Sequence, residues 1–334
     1  GFGFACLFTS QVTNLFTLFV AFFLLRMLGQ GALSLLASNT VGMWFHARLG
    51  TAMGIMSVGC VLIMGQIPAV VSRTIESIGW RSTYAFLGLL VWCVLLPLLL
   101  IFFRNRPEDV GQLPDGNGPE QEPSGEGRER SFELRDALRT RSYWIIAAVY
   151  VSWAMIGTAL MFNIRNLFAS RGLSADDVSR VLMWFFTCTA CMQLVGGFLA
   201  DRLPLRYLLT VSVTGMTVGL TILLTGRVSW TAPGYLLFGL SQGLAAVVNG
   251  TVWIRYFGRA HVGKIRGSIF SGIVAGSSLG PFVMGFLFDQ FGSYTPALWL
   301  FVGIYIPIAL MTLLAAPPTS AKPSINRLLH ENAA

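Results

Sequence analysis

Charge is what this 334-residue chain has least of. Asp, Glu, Lys and Arg make up 11% of it, where a soluble domain carries about 25%. Apolar residues make up 54% and the mean hydropathy is +0.66, which excludes an ordinary water-soluble globule. Cysteine is sparse too. Cys6, Cys60, Cys93, Cys188 and Cys191 all fall in apolar runs, which leaves neither a disulfide framework nor a zinc site to expect. His46, His261 and His330 lie far apart in sequence. No nucleophile-triad spacing occurs, nor any glycine-rich phosphate loop followed by a lysine. The chain is therefore not read as an enzyme, and no metal or cofactor is expected.

What the chain has is long apolar runs. Crossing a hydrocarbon layer of ~30 Å takes about 20 apolar residues in a helix, because lipid offers no hydrogen-bond partner to bare backbone. Spans are read at 2–12, 15–44, 50–72, 80–103, 143–164, 178–199, 207–226, 231–254, 266–288 and 294–316. The fold class is an all-α integral membrane protein with ten visible helices. Pro97 near the end of one span predicts tilt or kinking there.

The one sustained polar stretch is 104–142, rich in Pro, Gly and both signs of charge, and its first part reads as a flexible linker. Its end, "SFELRDALRTR", groups Phe132, Leu134, Ala137 and Leu138. That pattern predicts a short amphipathic helix, lying on the membrane surface or simply solvated. The domains are then 1–103, 143–316, the linker 104–142 between them and a polar tail 317–334.

Basic residues favour the cytoplasmic side of short loops. One set of alternate loops carries Arg48, the arginines of the linker, Arg202, Arg206, Arg255, Arg259, Lys264, Arg266, Lys322 and Arg327; the other carries only Arg73, Arg81, Arg165, Arg171, Arg180 and Arg227. Linker and carboxyl tail are therefore expected in the cytoplasm. The net charge of +8 is a topology signal, and no nucleic-acid partner is implied.

An internal echo organises the spans. "LGQG", Leu28 to Gly31, returns as "LSQG", Leu240 to Gly243; Trp44 and Phe45 return as Tyr256 and Phe257; Gly50 and Gly59 return as Gly267 and Gly276. Three spans precede "LSQG" in its half, and one precedes "LGQG" in its half. Two parallel six-helix halves with the first two helices missing, ten of twelve, is the expectation; a native ten-helix protein is the alternative.

"GGFLADRLPLR", Gly196 to Arg206, sets an acid and arginines between two apolar runs. With "RMLGQG" (Arg26 to Gly31), "FRNRPEDVGQLPDG" (Phe103 to Gly116) and "YFGRAHVGKIRG" (Tyr256 to Gly267), the chain resembles the major facilitator superfamily, in the branch containing oxalate/formate antiporters and monocarboxylate-type carriers. The resemblance covers essentially the whole chain. Pro204 stands where the family's loop usually has Gly. The resemblance implies two bundles rocking about a midplane site, and a loop at Gly197, Asp201, Arg202 and Arg206 that latches helix ends while the transporter faces outward. Asp201 fits such a latch if it meets a helix amino terminus or an arginine such as Arg202 or Arg206.

Arg26 is a charge inside a span and needs a cavity or a partner. It either holds a carboxylate substrate through two parallel hydrogen bonds or serves structure and coupling. Gln30, Gln66, Gln193, Gln242 and Asn249 either line the cavity or bond across helix interfaces. The recurring Gly272, Gly276 and Gly280 either pack statically or form a seam for motion. The function expected is secondary transport of a small organic anion of mono- or dicarboxylate type, in a bacterial inner membrane, with lipid and substrate the only partners; a monomer suffices. Proton-coupled transport of neutral or drug-like compounds, or a non-transporting receptor of the same fold, are the alternatives.

Overall fold

The computed structural model describes residues 1–104, 107–112, 115 and 132–318, except for the side chains of residues 64–66, 68, 69, 108 and 109. Most of the linker and the tail beyond residue 318 lie outside the described residues.

All regular structure among the described residues is helical. α1 (Phe2–Ser10) is short. α2 (Leu15–Leu25) continues through a π-helical stretch, Arg26–Leu33, into α3 (Ser34–Trp44). Its start is fixed by a reciprocal cap: Asn14 Oδ1 accepts from Thr17 N at 2.8 Å, and Thr17 Oγ1 accepts from Asn14 N at 3.2 Å. α4 (Leu49–Leu90) is two helices meeting at Gly79, whose φ of 79° and ψ of 158° are non-helical and suit a residue without Cβ. A second π-helical turn, Val91–Leu95, leads into α5 (Leu96–Phe102). After the linker come α6 (Leu134–Ala137), α7 (Arg141–Ala169), α8 (Ala175–Arg202), α9 (Leu205–Leu224), α10 (Val228–Phe257), α11 (Val262–Phe291) and α12 (Thr295–Thr312).

Among the described residues, eight helical stretches are long and apolar enough to cross a membrane: Leu15–Trp44, Val70–Phe102, Arg141–Ala169, Ala175–Arg202, Leu205–Leu224, Val228–Phe257, Val262–Phe291 and Thr295–Thr312. Leu49–Ile63 is a shorter apolar stretch, and α1 has 9 residues. The chain is a multi-pass integral membrane protein. Its outward side chains agree: Leu15 is 81% exposed and Phe16 75%, which water would not tolerate over so wide a surface but lipid does.

The chain divides into two compact units, Gly1–Glu122 with Gln193–Asp201, and Pro123–Met192 with Arg202–Ala334. In the first, α1 lies on the far part of α4: a Cβ at Gly88 would sit 2.9 Å from the Gly3 carbonyl oxygen. Arg81 Nη2 donates to the Val12 carbonyl at 3.0 Å and ties down the turn after α1.

In the second unit α9 packs with α10 and α12, and α7 with α11. Aromatic rings fill the centre. Trp253 and Phe257 stack at 5.9 Å, Tyr143 and Tyr150 meet Trp253 at 6.2 and 6.4 Å, and Tyr143 Oη shares a 2.7 Å hydrogen bond with Ser268 Oγ across α7 and α11. The amphipathic segment expected before α7 is a four-residue helix, and its Phe132 is buried against protein. The Phe132 ring meets Phe257 edge-on at 5.8 Å and its N–H donates to the Phe257 carbonyl at 2.9 Å. Thr140 then caps α7 by accepting from Tyr143 N at 3.3 Å.

Glycines set the α7–α11 spacing. A Cβ at Gly276 would lie 2.7 Å from the Val151 carbonyl oxygen, and one at Gly280 would collide with that of Met155. Gly276→Val is therefore expected to lower stability by about 2 kcal/mol, read as a lower unfolding midpoint in detergent. Gly285→Ala, which meets open space, leaves the midpoint unchanged. Equal midpoints for the two variants would contradict the close approach.

Candidate functional site

Arg26 opens the π-helical stretch, and its Nη1 donates to Gln30 Oε1 at 2.6 Å. Both side chains are exposed. Such wide turns are rare and concentrate at functional sites. The Gln30 carbonyl takes one guanidinium N–H, and the other guanidinium N–H groups and the Gln30 NH₂ are donors beside it. A Cβ at Gly29 would meet the Phe2 ring at 2.7 Å, so α1 packs against this turn. The charge is thus held in one place by a neighbour four residues on.

A second cluster joins the start of α4 to the end of α8, within the first unit. Asp201 Oδ1 accepts from Gly50 N at 2.7 Å, and Oδ2 accepts from Thr51 N at 2.8 Å and Thr51 Oγ1 at 2.7 Å. These amides belong to the first turn of a helix, where no intrahelical acceptor exists and the dipole favours an anion. Glycines make the reach possible. A Cβ at Gly50 would lie 2.5 Å from the Gly197 carbonyl oxygen, and one at Gly54 would lie 2.6 Å from that of Gln193. Gln193, Gly197 and Asp201, spaced four apart, therefore form one face of α8 on one face of α4. Gln193 is 5% exposed, and its Oε1 has no hydrogen-bond partner among the described residues. Leaving a buried acceptor unmet costs about 1–3 kcal/mol.

The turn before α4 holds another carboxylate. Asp115 accepts from His46 N at 3.1 Å, Ala47 N at 2.8 Å and Arg48 N at 3.4 Å. Partial burial pulls its carboxyl up, but these three amides outweigh that and hold its pKa below the usual carboxylate value.

The other expected site residues are dispersed. Arg202 ends α8 and is exposed. Arg206 lies over the Tyr207 ring at 4.7 Å and donates from Nη2 to Tyr207 Oη at 2.9 Å. Gln242 faces α7, its Oε1 3.5 Å from where a Cβ on Gly157 would be. Asn249 Oδ1 accepts from the buried Trp253 Nε1 at 2.9 Å, so it satisfies an indole on its own helix. The Gln66 side chain lies outside the described residues.

Sequence reasoning misses four participants. Gly50 falls in the internal echo and Asp115 in the linker motif, but neither they nor Thr51 reveal these contacts without the fold, because backbone amides are silent in sequence. Arg266 does carry a signal. Hydropathy groups it with a loop, yet α11 begins at Val262 and Arg266 is 9% exposed, four residues past Val262 and on the face of Val262, Ile265 and Ile269. Arg171, another expected loop charge, braces helix ends. It donates from Nη1 to Thr231 Oγ1 at 2.8 Å and from Nη2 to the Leu223 carbonyl at 2.6 Å. Burial lowers its pKa from the usual arginine value, partly offset by Tyr235.

The sequence model of the Major Facilitator Superfamily matches residues 1–170 and again 158–331. The chain belongs to that superfamily. Among curated superfamily relatives, monocarboxylate transporter 11 of Homo sapiens is 26% identical over 88% of this chain, and the uncharacterized MFS-type transporter YhjX of Escherichia coli K12 is 22% identical over 80%. The chain spans less than two thirds of either relative, 62% and 65%. Among solved superfamily structures, the transporter FucP in its outward conformation aligns over 95% of this chain and 80% of its own, with a TM-score of 0.65 at 15% identity, a likeness of fold.

Two measurements test the amide clusters. In Asp201→Asn the carboxylate becomes a neutral amide with a single acceptor oxygen, at a cost of about 1.5–3 kcal/mol for a charged hydrogen bond. Hydrogen exchange at Gly50 and Thr51 is expected to rise tenfold or more, and unchanged exchange would remove Asp201 from the α4 terminus. Asp115 has the lowered folded pKa, so its hold on residues 46–48 is complete above the ordinary carboxylate pKa of about 3.9 and is lost as pH falls through the lower folded value. Protection factors at these amides should fall with acid over that window in wild type and stay flat in Asp115→Asn.

Proposed function

We propose that this chain is a secondary transporter for a small organic anion of mono- or dicarboxylate type, working by alternating access. One observation carries the reading: Arg26 and Gln30, joined at 2.6 Å on a π-helical stretch, set a steadied guanidinium beside an amide NH₂ in an exposed pair rich in N–H donors. A carboxylate matches such a pair because a guanidinium binds two oxygens in parallel. The name of the human relative, a monocarboxylate transporter, supports the same substrate class.

In this reading ten spans follow the two-bundle plan with bundles at 1–103 and 143–316. The linker at 104–142 and the tail at 317–334 lie on the cytoplasmic side of a bacterial inner membrane. Gln66, Gln193, Gln242 and Asn249 belong to the substrate path or its packing, and the transporter works as a monomer. Gly197, Asp201, Arg202 and Arg206 form the gating loop. The three bonds from Asp201 to Gly50 and Thr51 stabilise one state of the cycle, and their rupture permits the other. The unmet Gln193 Oε1 works in the opposite sense, keeping that state from becoming a trap.

Proteoliposome uptake tests this. Saturable uptake of a labelled carboxylate is expected for wild type, with at least a hundredfold loss for Arg26→Ala and partial recovery for Arg26→Lys, which keeps charge without the fork. Wild-type kinetics in Arg26→Ala would refute the assignment. Saturable binding without flux would make the chain a receptor.

A further inference from the structure

The ends of three spans form a cleft that shares one residue, Arg206, with the gating loop and is otherwise outside it. α9 begins there, α10 ends there, and the chain leaves α12 beside it. The cleft measures about 410 Å³, and its lining includes Arg206, Arg255, Pro204 and Tyr256. Tyr256 Oη donates to the Ala315 carbonyl at 2.9 Å, which binds the end of α10 to the segment after α12 and makes the cleft a fixed part of the second unit.

Among the described residues, two guanidiniums line it and no carboxylate does. α9 contributes the positive end of a 20-residue helix whose N-cap is Pro204, without a side-chain cap and with no acid in the first turn. Arg206 is steadied by the Tyr207 ring beneath it. These features suit an anion with several acceptor oxygens.

The surroundings favour an anion attached to hydrocarbon. Tyr207, Val211 and Val218 are all exposed and succeed one another along α9 at spacings of four and seven, one face of the helix. Leu203 at the rim and Leu314 near it are exposed as well. An apolar stripe therefore runs from the mouth of a cationic cleft along a membrane-spanning helix. Basic pockets between helices at the membrane boundary are suited to lipid headgroups.

We propose that this cleft binds the phosphate headgroup of an anionic phospholipid, with its acyl chains along the exposed face of α9. Arg255 and Arg206 bind the phosphate oxygens, the α9 terminus adds its dipole, and the neutral apolar stripe excludes a hydrated soluble anion from the preferred pose. The site is separate from the Arg26 site.

Native mass spectrometry of the full chain, delipidated in neutral detergent and supplied with phosphatidylglycerol or phosphatidylcholine, tests it. One retained phosphatidylglycerol per protein is expected, with no retained phosphatidylcholine. Arg255→Gln should reduce occupancy about tenfold, and Arg255→Lys should restore part of it. Arg227→Gln, the same charge loss at the other end of α10, should change nothing. Unfolding midpoints measured in phosphatidylcholine confirm that each variant is folded; should Arg255→Gln fail this, Arg206→Gln replaces it with the same expectation. Equal retention of the two lipids, or of phosphatidylglycerol by the folded Gln variant and wild type, overturns the proposal. Displacement of the lipid by millimolar inorganic phosphate assigns the cleft to a soluble phosphate instead and also overturns it.

Discussion

Lipid gives the backbone nothing to bond with. Helices answer this along their length and fail to answer it at their ends, where the first amides and last carbonyls have no partner. The described charges do their structural work at those ends. Asp201 takes the first amides of α4, Asp115 takes the turn before it, and Arg171 takes a last carbonyl of α9. With only 11% of the residues charged, these three carry much of the described polar chemistry, and it is a chemistry of caps.

Within a compact unit the helices are held apart or together by the size of one side chain. Gly50, Gly54 and Gly197 let α4 and α8 touch through backbone, and Gly276 and Gly280 do the same for α7 and α11. No hydrophobic force drives helices together in lipid, so close packing and the bonds it permits do so. That is why the Asp201 carboxylate depends on glycines: a Cβ at Gly50 would meet both the Gly197 carbonyl oxygen and Asp201 Oδ1. Packing and electrostatics are one feature at this seam, and any rearrangement that breaks one must break the other.

Much of this is legible in the sequence, because hydropathy and motif spacing are local. The long spans, the polar linker and the superfamily loop all emerge from runs of ten to thirty residues. Asp201 stands out by its sequence neighbours, but its partners are the amides of residues 50 and 51 and the Thr51 hydroxyl, which no local pattern connects to it. Arg266 is misread because hydropathy places a helix start four residues late, which turns a buried residue into a loop charge. The helix count blurs for a related reason: apolar length predicts a crossing, yet α1 is too short for one, and the break expected between 72 and 80 is a kink at Gly79 within α4 and not a loop. Phe132 has the pattern of a membrane anchor and packs on Phe257 instead, since periodicity says that a side chain is hidden without saying by what.

The echo between "LGQG" and "LSQG" ends differently in its two copies. Where the first has Arg26 on a widened turn, the second has Phe238, fully buried in regular α-helix. A π-helical stretch closes its hydrogen bonds over five residues instead of four, so it inserts a phase slip between the helix before it and the helix after it. Leu15–Leu25 packs on α1, and Ser34–Trp44 packs on α4. A single membrane crossing thereby addresses two different neighbours with its two ends.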